Sequence, residues 1–517
     1  MEHVPENRKP AWAGHISPQI RTAGLSALIF GILAHGTALF QKLSFHDDIR
    51  FLFDVGGTVT SGRWMLHLLA WLEKIFYLDG HFSLPMYNGF LGILCIAAAA
   101  CLLTDLLKLR SLGCCAALGC AMVAFPAITG LFAYVYTLHF YMFAMLAAVL
   151  AAWLLCRVNR WWAWAAAIVL GGCSVGVYQA YFPLIPAILI LDDLRTALET
   201  DQPLSGFLKR VLIQLVCMAA AMGFYLLANR YFLNRFQVEM LNYMGLSEVG
   251  TATLSDYLAR LGRAYREFFL PSRGTEWDMY PGRLYTFYQI MLLGDLLLAA
   301  RLLARAWKRN GIRSLPAILL LAAFPAAVNL IFVMGEEVHG LMTYAQVLQI
   351  LLFLFLLDRN RDFRLPPLRR VLAGASALVL GGTCLLYARH ANECYLKITF
   401  EQQEAISWFT TLITQIKSSE DYRADRPVLF LNGRKVTDPT VTHIPEFDSV
   451  TIMPYQYNTQ EFLSDYAWVS VMERWCGFTP VYSWNFELEE LPEVKALPHY
   501  PDPGSIQVIR DVLIVNF

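Results

Sequence analysis

Apolar residues in this chain collect in blocks of roughly 17 to 25, the length an α-helix needs to cross about 30 Å of hydrocarbon, and no other feature limits the fold as severely. Eleven such runs stand between charged punctuation, near residues 20–40, 86–104, 112–129, 138–156, 161–177, 180–192, 211–233, 284–303, 314–334, 341–357 and 371–388. With 57% hydrophobic and only 16% charged residues, the chain has too little polar surface for a soluble fold. The expectation is a mainly α, polytopic helical membrane protein with about eleven transmembrane helices. The sixth run is short, with Pro183 and Pro186 beside it, and is kept because the loop charges require it.

With a cytoplasmic N-terminus, the inner segments 1–21, 104–111, 157–160, 192–210, 301–313 and 358–370 hold 20 Lys and Arg, while the short outer loops 129–137, 177–180 and 335–340 hold none. Cytoplasmic loops retain Lys and Arg, so this orientation is expected, and it leaves residues 389–517 outside. Without the sixth run, Arg359, Arg361, Arg364, Arg369 and Arg370 would face outward. The stretch Met1–Pro10 is too polar for a cleavable signal, so the first run is expected to stay as an anchor. Net charge is zero overall, +8 over residues 1–388 and −8 over 389–517. Without an overall basic surplus, a nucleic-acid partner is not expected.

Two long outer loops, 41–85 and 234–283, break the pattern. Trp64, Leu68, Trp71, Leu72, Ile75 and Phe76 in the first, and Leu254, Tyr257, Leu258, Leu261, Tyr265 and Phe268 in the second, recur at helical spacing and predict amphipathic helices in the outer interface. After residue 388 a helix over 400–417 and apolar runs at 427–431, 449–453 and 506–516, between turn residues, predict a small α+β domain outside the membrane. The division is therefore a transmembrane unit, 1–388, and an extracytoplasmic domain, 389–517.

Nine of the eleven cysteines sit in or beside predicted spans, where a thiol packs as a small apolar group. Cys394 and Cys476 lie outside, and spacing leaves open whether they pair. There is no CxxC, HExxH or GxxxxGK[ST] pattern, which disfavours an ATP-driven pump or a zinc hydrolase.

The polar constellations cluster on the expected outer side. Asp47 and Asp48 follow the first span within Phe45-His46-Asp47-Asp48; such a pair is either a solvated hinge or a general base. Arg63, in Ser61-Gly62-Arg63-Trp64, heads an amphipathic helix, where a cation suits a phosphate better than the helix dipole, although snorkelling into headgroups is equally open. The loop Gly335-Glu336-Glu337-Val338-His339-Gly340 is too short to leave the membrane surface, so Glu336, Glu337 and His339 must be paired or line a cavity. Arg273 and Arg283, near Tyr280 in the second long loop, are its candidate partners, and Tyr178 and Gln179 add aromatic and amide groups at the fifth-to-sixth corner. His35, His139 and Asp295 fall within spans or at their ends, and Asp105, Asp192 and Asp193 read as ordinary cytoplasmic helix ends. No span carries a series of charges along its length, so chemistry at the outer surface fits better than transport through the midplane.

The acidic pair after the first span, Ser61-Gly62-Arg63-Trp64 and Val177-Tyr178-Gln179-Ala180 resemble the Gtr-type glucosyltransferases that decorate bacterial O-antigen, within the C-type (GT-C) superfamily of polytopic glycosyltransferases. The resemblance implies an inner-membrane enzyme with a periplasmic active site. Its donor would be a hexose, glucose above all, on undecaprenyl phosphate, and its acceptor a surface polysaccharide, with inversion at the anomeric carbon. Asp47 or Asp48 would be the base and Arg63 a phosphate ligand or part of the site wall. Trp64, Tyr178, Gln179, Arg273, Tyr280, Arg283, Glu336, Glu337 and His339 would complete the substrate site, those from 273 onward by position rather than motif. Many superfamily members use a divalent cation, magnesium or manganese, but no ligand set here compels one. A lipid-linked sugar exporter and a polysaccharide polymerase or ligase remain the rival readings.

Overall fold

The computed structural model describes residues 16–44, 47–78, 80–200, 203–241, 253–273, 278–360, 366–432, 435–437, 442, 444–451, 461–464 and 467–517. The helices in chain order are α1 (Pro18–Phe40), α2 (Asp47–Arg50), α3 (Trp64–Tyr77), α4 (Pro85–Leu107), α5 (Leu112–Ala124), α6 (Pro126–Leu131), α7 (Val135–Arg157), α8 (Trp161–Val177) and α9 (Leu184–Glu199). They continue with α10 (Leu204–Phe236), α11 (Leu254–Phe269), α12 (Arg283–Asn310), α13 (Leu315–Val328), α14 (Ile331–Met334), α15 (Val347–Arg359), α16 (Pro366–Ser418), α17 (Trp468–Arg474) and α18 (Pro492–Lys495). All eleven apolar runs are helical. Among the described residues eight helical stretches are long and apolar enough to cross a membrane, one of them covering both α12 and α13, while α8 is a shorter apolar helix. The protein is a polytopic helical membrane protein.

α1 starts at Pro18, with the Ser17 hydroxyl accepting from Ile20 N at 3.3 Å, and packs along α5 and α4. The contact is close enough to require glycine: a Cβ on Gly119 would sit 2.3 Å from Ala23 O and 2.9 Å from Ala27 N. Gly119→Val is expected to force α1 from α5 and cost about 1–3 kcal/mol, read as a lower thermal midpoint in detergent; an unchanged midpoint would contradict this packing.

The predicted helix ends at Asp192 and Asp193 are corrected by the structure. Both are buried: Arg195 Nε bonds Asp192 at 2.9 Å, Arg210 Nε lies 2.8 Å from Asp193, and Arg210 also bonds Asp192. Apolar surroundings favour paired over solvated charges, and the network ties α9 to α10.

The predicted span 371–388 and helix 400–417 form one 53-residue helix, α16, about 80 Å long, which leads into a small C-terminal strand region. Its three-stranded sheet places β5 (Val512–Asn516) between β1 (Val428–Leu431), parallel, and β4 (Ile506–Ile509), antiparallel. The run 506–516 is thus a hairpin, turning at Arg510 and Asp511, which both have positive φ. A second pair joins β2 (Lys435–Thr437) to β3 (Glu461–Ser464). Ser449–Thr451 form no strand, and residues 452 and 453 lie outside the described residues. Cys394 and Cys476 are both free: the Cys394 thiol donates to Thr451 O and the Cys476 thiol faces Ile406 O, so neither meets the other.

Along α16, burial pushes the Glu401 carboxyl up to about 8, against the opposing charge of Lys397 at 3.8 Å. An unfolded Glu ionises near about 4.3, so between there and about pH 8 the folded state keeps a proton that the unfolded state has lost, and stability falls as pH rises through that window. Glu401→Gln is expected to match the wild type near pH 4 and to melt higher than it at pH 8. Equal melting at both pH values would contradict this assignment.

Candidate functional site

The two acids sit on α2, in the segment joining α1 to α3, and the fold gives them different surroundings. Asp48 is fully buried: one carboxylate oxygen accepts from Ser83 Oγ at 2.5 Å and Tyr136 N at 3.0 Å, and the other pairs with the Lys42 ammonium. Tyr136 N belongs to the first turn of α7, where backbone donors lack partners within the helix, so Asp48 caps α7 from a distance. Burial pushes the Lys42 ammonium down from its ordinary range, and the Asp48 charge opposes that. Asp47 is half-buried and accepts from the Tyr136 hydroxyl at 3.5 Å.

Arg63 enters from the turn before α3. Gly62 makes that turn with φ +74°, and a Cβ there would lie 2.7 Å from the Tyr225 hydroxyl and 3.0 Å from Gln179 Nε2. Gln179 Nε2 closes the turn by donating to Ser61 O at 3.0 Å and to the Tyr225 hydroxyl at 3.3 Å. The Arg63 guanidinium donates to the Tyr141 hydroxyl at 3.0 Å, and its carbon lies 5.4 Å from the Tyr178 ring centroid. Tyr141 and Tyr178 are stacked 4.5 Å apart and nearly parallel, at 5°. Asp47 and Asp48 reach α7 at Tyr136 and Arg63 reaches it at Tyr141, about one and a half turns further along the helix. A carboxylate can take a proton from a hydroxyl, and a held guanidinium can stabilise an anion.

The other expected residues divide. Glu336 pairs with α11 rather than with Arg273 or Arg283: Arg260 bonds its carboxylate at 2.8 Å and Arg263 its carbonyl at 2.6 Å. The positions of those two arginines on α11, facing α14, decide this. Arg273 lies over the Tyr285 ring at 4.6 Å, and Arg283 opens α12. Tyr280 is buried against Tyr288, with its hydroxyl donating to Gln346 at 3.1 Å. Trp64 is buried between Phe224 and Phe232. Burial lowers the His339 pKa, against the charge of Glu337. The 3-10 segment Gly340–Gln346 that follows touches the Gln179–Tyr181 turn, with Tyr344 and Tyr181 centroids 6.2 Å apart. Phe45, His46, Glu276 and Trp277 lie outside the described residues.

Lys42, Ser83, Tyr136 and Tyr141 carried no sequence signal beyond ordinary aromatic or loop residues, and His139 read as part of a span. The structure places His139 beside Glu73, whose carboxylate accepts from His81 Nδ1 at 2.6 Å and lies 3.5 Å from His139 Nε2. Burial acts to raise the Glu73 carboxyl, but the two histidines outweigh it and hold it at about 2. Glu73 is therefore a carboxylate at any physiological pH. Among the described residues no group of three or more His, Cys, Asp or Glu side chains is arranged to hold a metal ion.

The apolar helices define a polytopic membrane protein. Residues 36–357, more than half of the chain, match the family model of glucosyl transferase GtrII, and the chain belongs to that family. It is a membrane glycosyltransferase. The matched stretch contains α2, Arg63, Tyr178 and the 335–340 loop and stops before α16. No curated protein and no solved structure matches the chain.

Proposed function

We propose that the enzyme moves a hexose, glucose by family, from polyprenyl phosphate to a hydroxyl of a surface polysaccharide such as O-antigen, at the periplasmic face of the bacterial inner membrane. The observation that carries this reading is the placing of Asp47 and Arg63 against the first two turns of α7, on the Tyr136 and Tyr141 hydroxyls. Asp47 takes the proton of the acceptor hydroxyl. The new bond from that oxygen to the anomeric carbon forms as the bond from the carbon to the donor phosphate oxygen breaks, with inversion. The departing polyprenyl phosphate keeps the electron pair, and Arg63 offsets its charge. Asp48, already engaged by three donors, holds α2 in place.

Orientation is supported by the 20 Lys and Arg in segments at the opposite ends of the spans. A lipid donor is supported by α3, which leaves Trp71, Ile75 and Phe76 about half to four-fifths exposed, apolar side chains suited to the bilayer surface. The test offers purified enzyme and a lipopolysaccharide acceptor two radiolabelled donors, polyprenyl-phosphate glucose and UDP-glucose. Label is expected to reach acceptor from the lipid donor alone. Transfer from UDP-glucose without lipid would overturn the donor assignment.

A further inference from the structure

We infer that the C-terminal domain is a working part of the transfer site and that Arg474 is the positioning residue through which it orients the acids of α2. This rests on the reading of Asp47 as the base. α2 has four residues, too few to maintain a helix without outside support. Arg474, the last residue of α17, supplies it: one guanidinium nitrogen donates to Ile49 O at 2.9 Å and to Arg50 O at 2.7 Å, and the group lies 5.5 Å from the Phe53 ring centroid. These are the end carbonyls of α2, the acceptors a helix leaves unpaired.

The side chain of Ile49 is held by the same domain. It is buried in the cluster of Ala405 and Phe409 from α16 and Trp468 and Val471 from α17, separate from the core of the bundle. A third link reaches the counter-ion of Asp48. With its amide oriented to satisfy both ends, Gln402 of α16 donates to Lys42 O at 3.2 Å and accepts from Trp475 Nε1 at 3.0 Å. α2 is thus gripped from two sides, by Lys42, Ser83 and α7 through Asp48 and by the C-terminal domain through its end carbonyls and Ile49. Residues 358–517 lie beyond the family match, so the family assigns them no role. The contacts to α2 supply one.

A misplacement of about 1 Å can cost about 100-fold in rate. Arg474→Ala is expected to lower kcat about 10- to 100-fold, with donor KM and thermal midpoint near wild type. Arg474→Lys should recover part of the loss, because an ammonium still donates but lacks the planar fork. The acid limb of the kcat–pH profile should move in Arg474→Ala, since the surroundings of Asp47 change; a purely structural role would leave it in place. Asp511→Ala, which breaks the Arg426–Asp511 pair at 3.1 Å elsewhere in the domain, serves as the control with unchanged kcat.

Hydrogen exchange over residues 47–53 gives a readout independent of turnover and is expected to quicken in Arg474→Ala. Wild-type kcat and exchange in Arg474→Ala would overturn the inference while leaving the proposed reaction intact. If the wild type moves no label, the proposed reaction fails and exchange alone decides whether Arg474 orders α2. Should Arg474→Ala not fold, Arg474→Lys and Gln402→Ala are read by the same measurements, and wild-type values in both would overturn it.

Discussion

Asp47→Asn should reduce transfer by about 100- to 10,000-fold and leave the protein folded, while Asp48→Asn should fail first as a folded protein. The two carboxylates are neighbours in sequence but not in surroundings. An Asn at 47 keeps the size of the side chain and its bond to Tyr136 while removing the function proposed for it, acceptance of a proton. An Asn at 48 leaves the Lys42 ammonium beside a neutral amide and weakens the bonds from Ser83 Oγ and Tyr136 N. Breaking a buried pair costs about 3 kcal/mol or more, and less where, as for Lys42, part of the side chain reaches solvent. Initial rates and thermal unfolding of both variants in detergent separate the roles. A folded, inactive Asp48→Asn beside a fully active Asp47→Asn would exchange them.

Arg63→Ala should lower kcat/KM for the lipid donor about 100-fold and leave acceptor KM unchanged, because the cation proposed to face developing phosphate charge is lost. Arg63→Lys should restore only part of this. Lysine keeps the charge but not the planar group, which here lies over Tyr178 and donates to Tyr141. A loss confined to acceptor KM would move Arg63 from the donor side of the site to the acceptor side.

Much of the fold was legible because membrane crossing imposes a length that the apolar runs report directly, and all eleven are helical. Asp47, Asp48, Arg63, Tyr178 and Gln179 could be singled out as candidates because the acidic pair after the first span, Ser61-Gly62-Arg63-Trp64 and Val177-Tyr178-Gln179-Ala180 are short local patterns that can be read without the fold. Their partners were not: Tyr136 stands 88 residues from Asp48 and Ser83 stands 35, and nothing in a Ser or a Tyr tells which carboxylate it will meet. Burial was equally hidden, so Asp192 and Asp193 looked solvated although they form a buried network with Arg195 and Arg210. Helix facing decided the rest. Both Arg260 and Arg273 follow from sequence as outer-loop cations, but only the contact between α11 and α14 brings Arg260 to Glu336.

The most direct measurement is a single-turnover assay of purified enzyme with polyprenyl phosphate bearing radiolabelled glucose and a lipopolysaccharide acceptor, comparing wild type with Asp47→Asn. Label moving to acceptor with wild type and staying on the lipid with Asp47→Asn is the predicted result. Equal transfer by both, or no transfer from this donor by a folded wild type, would contradict the assignment of the α2 acid as the base for a lipid-linked glucose donor.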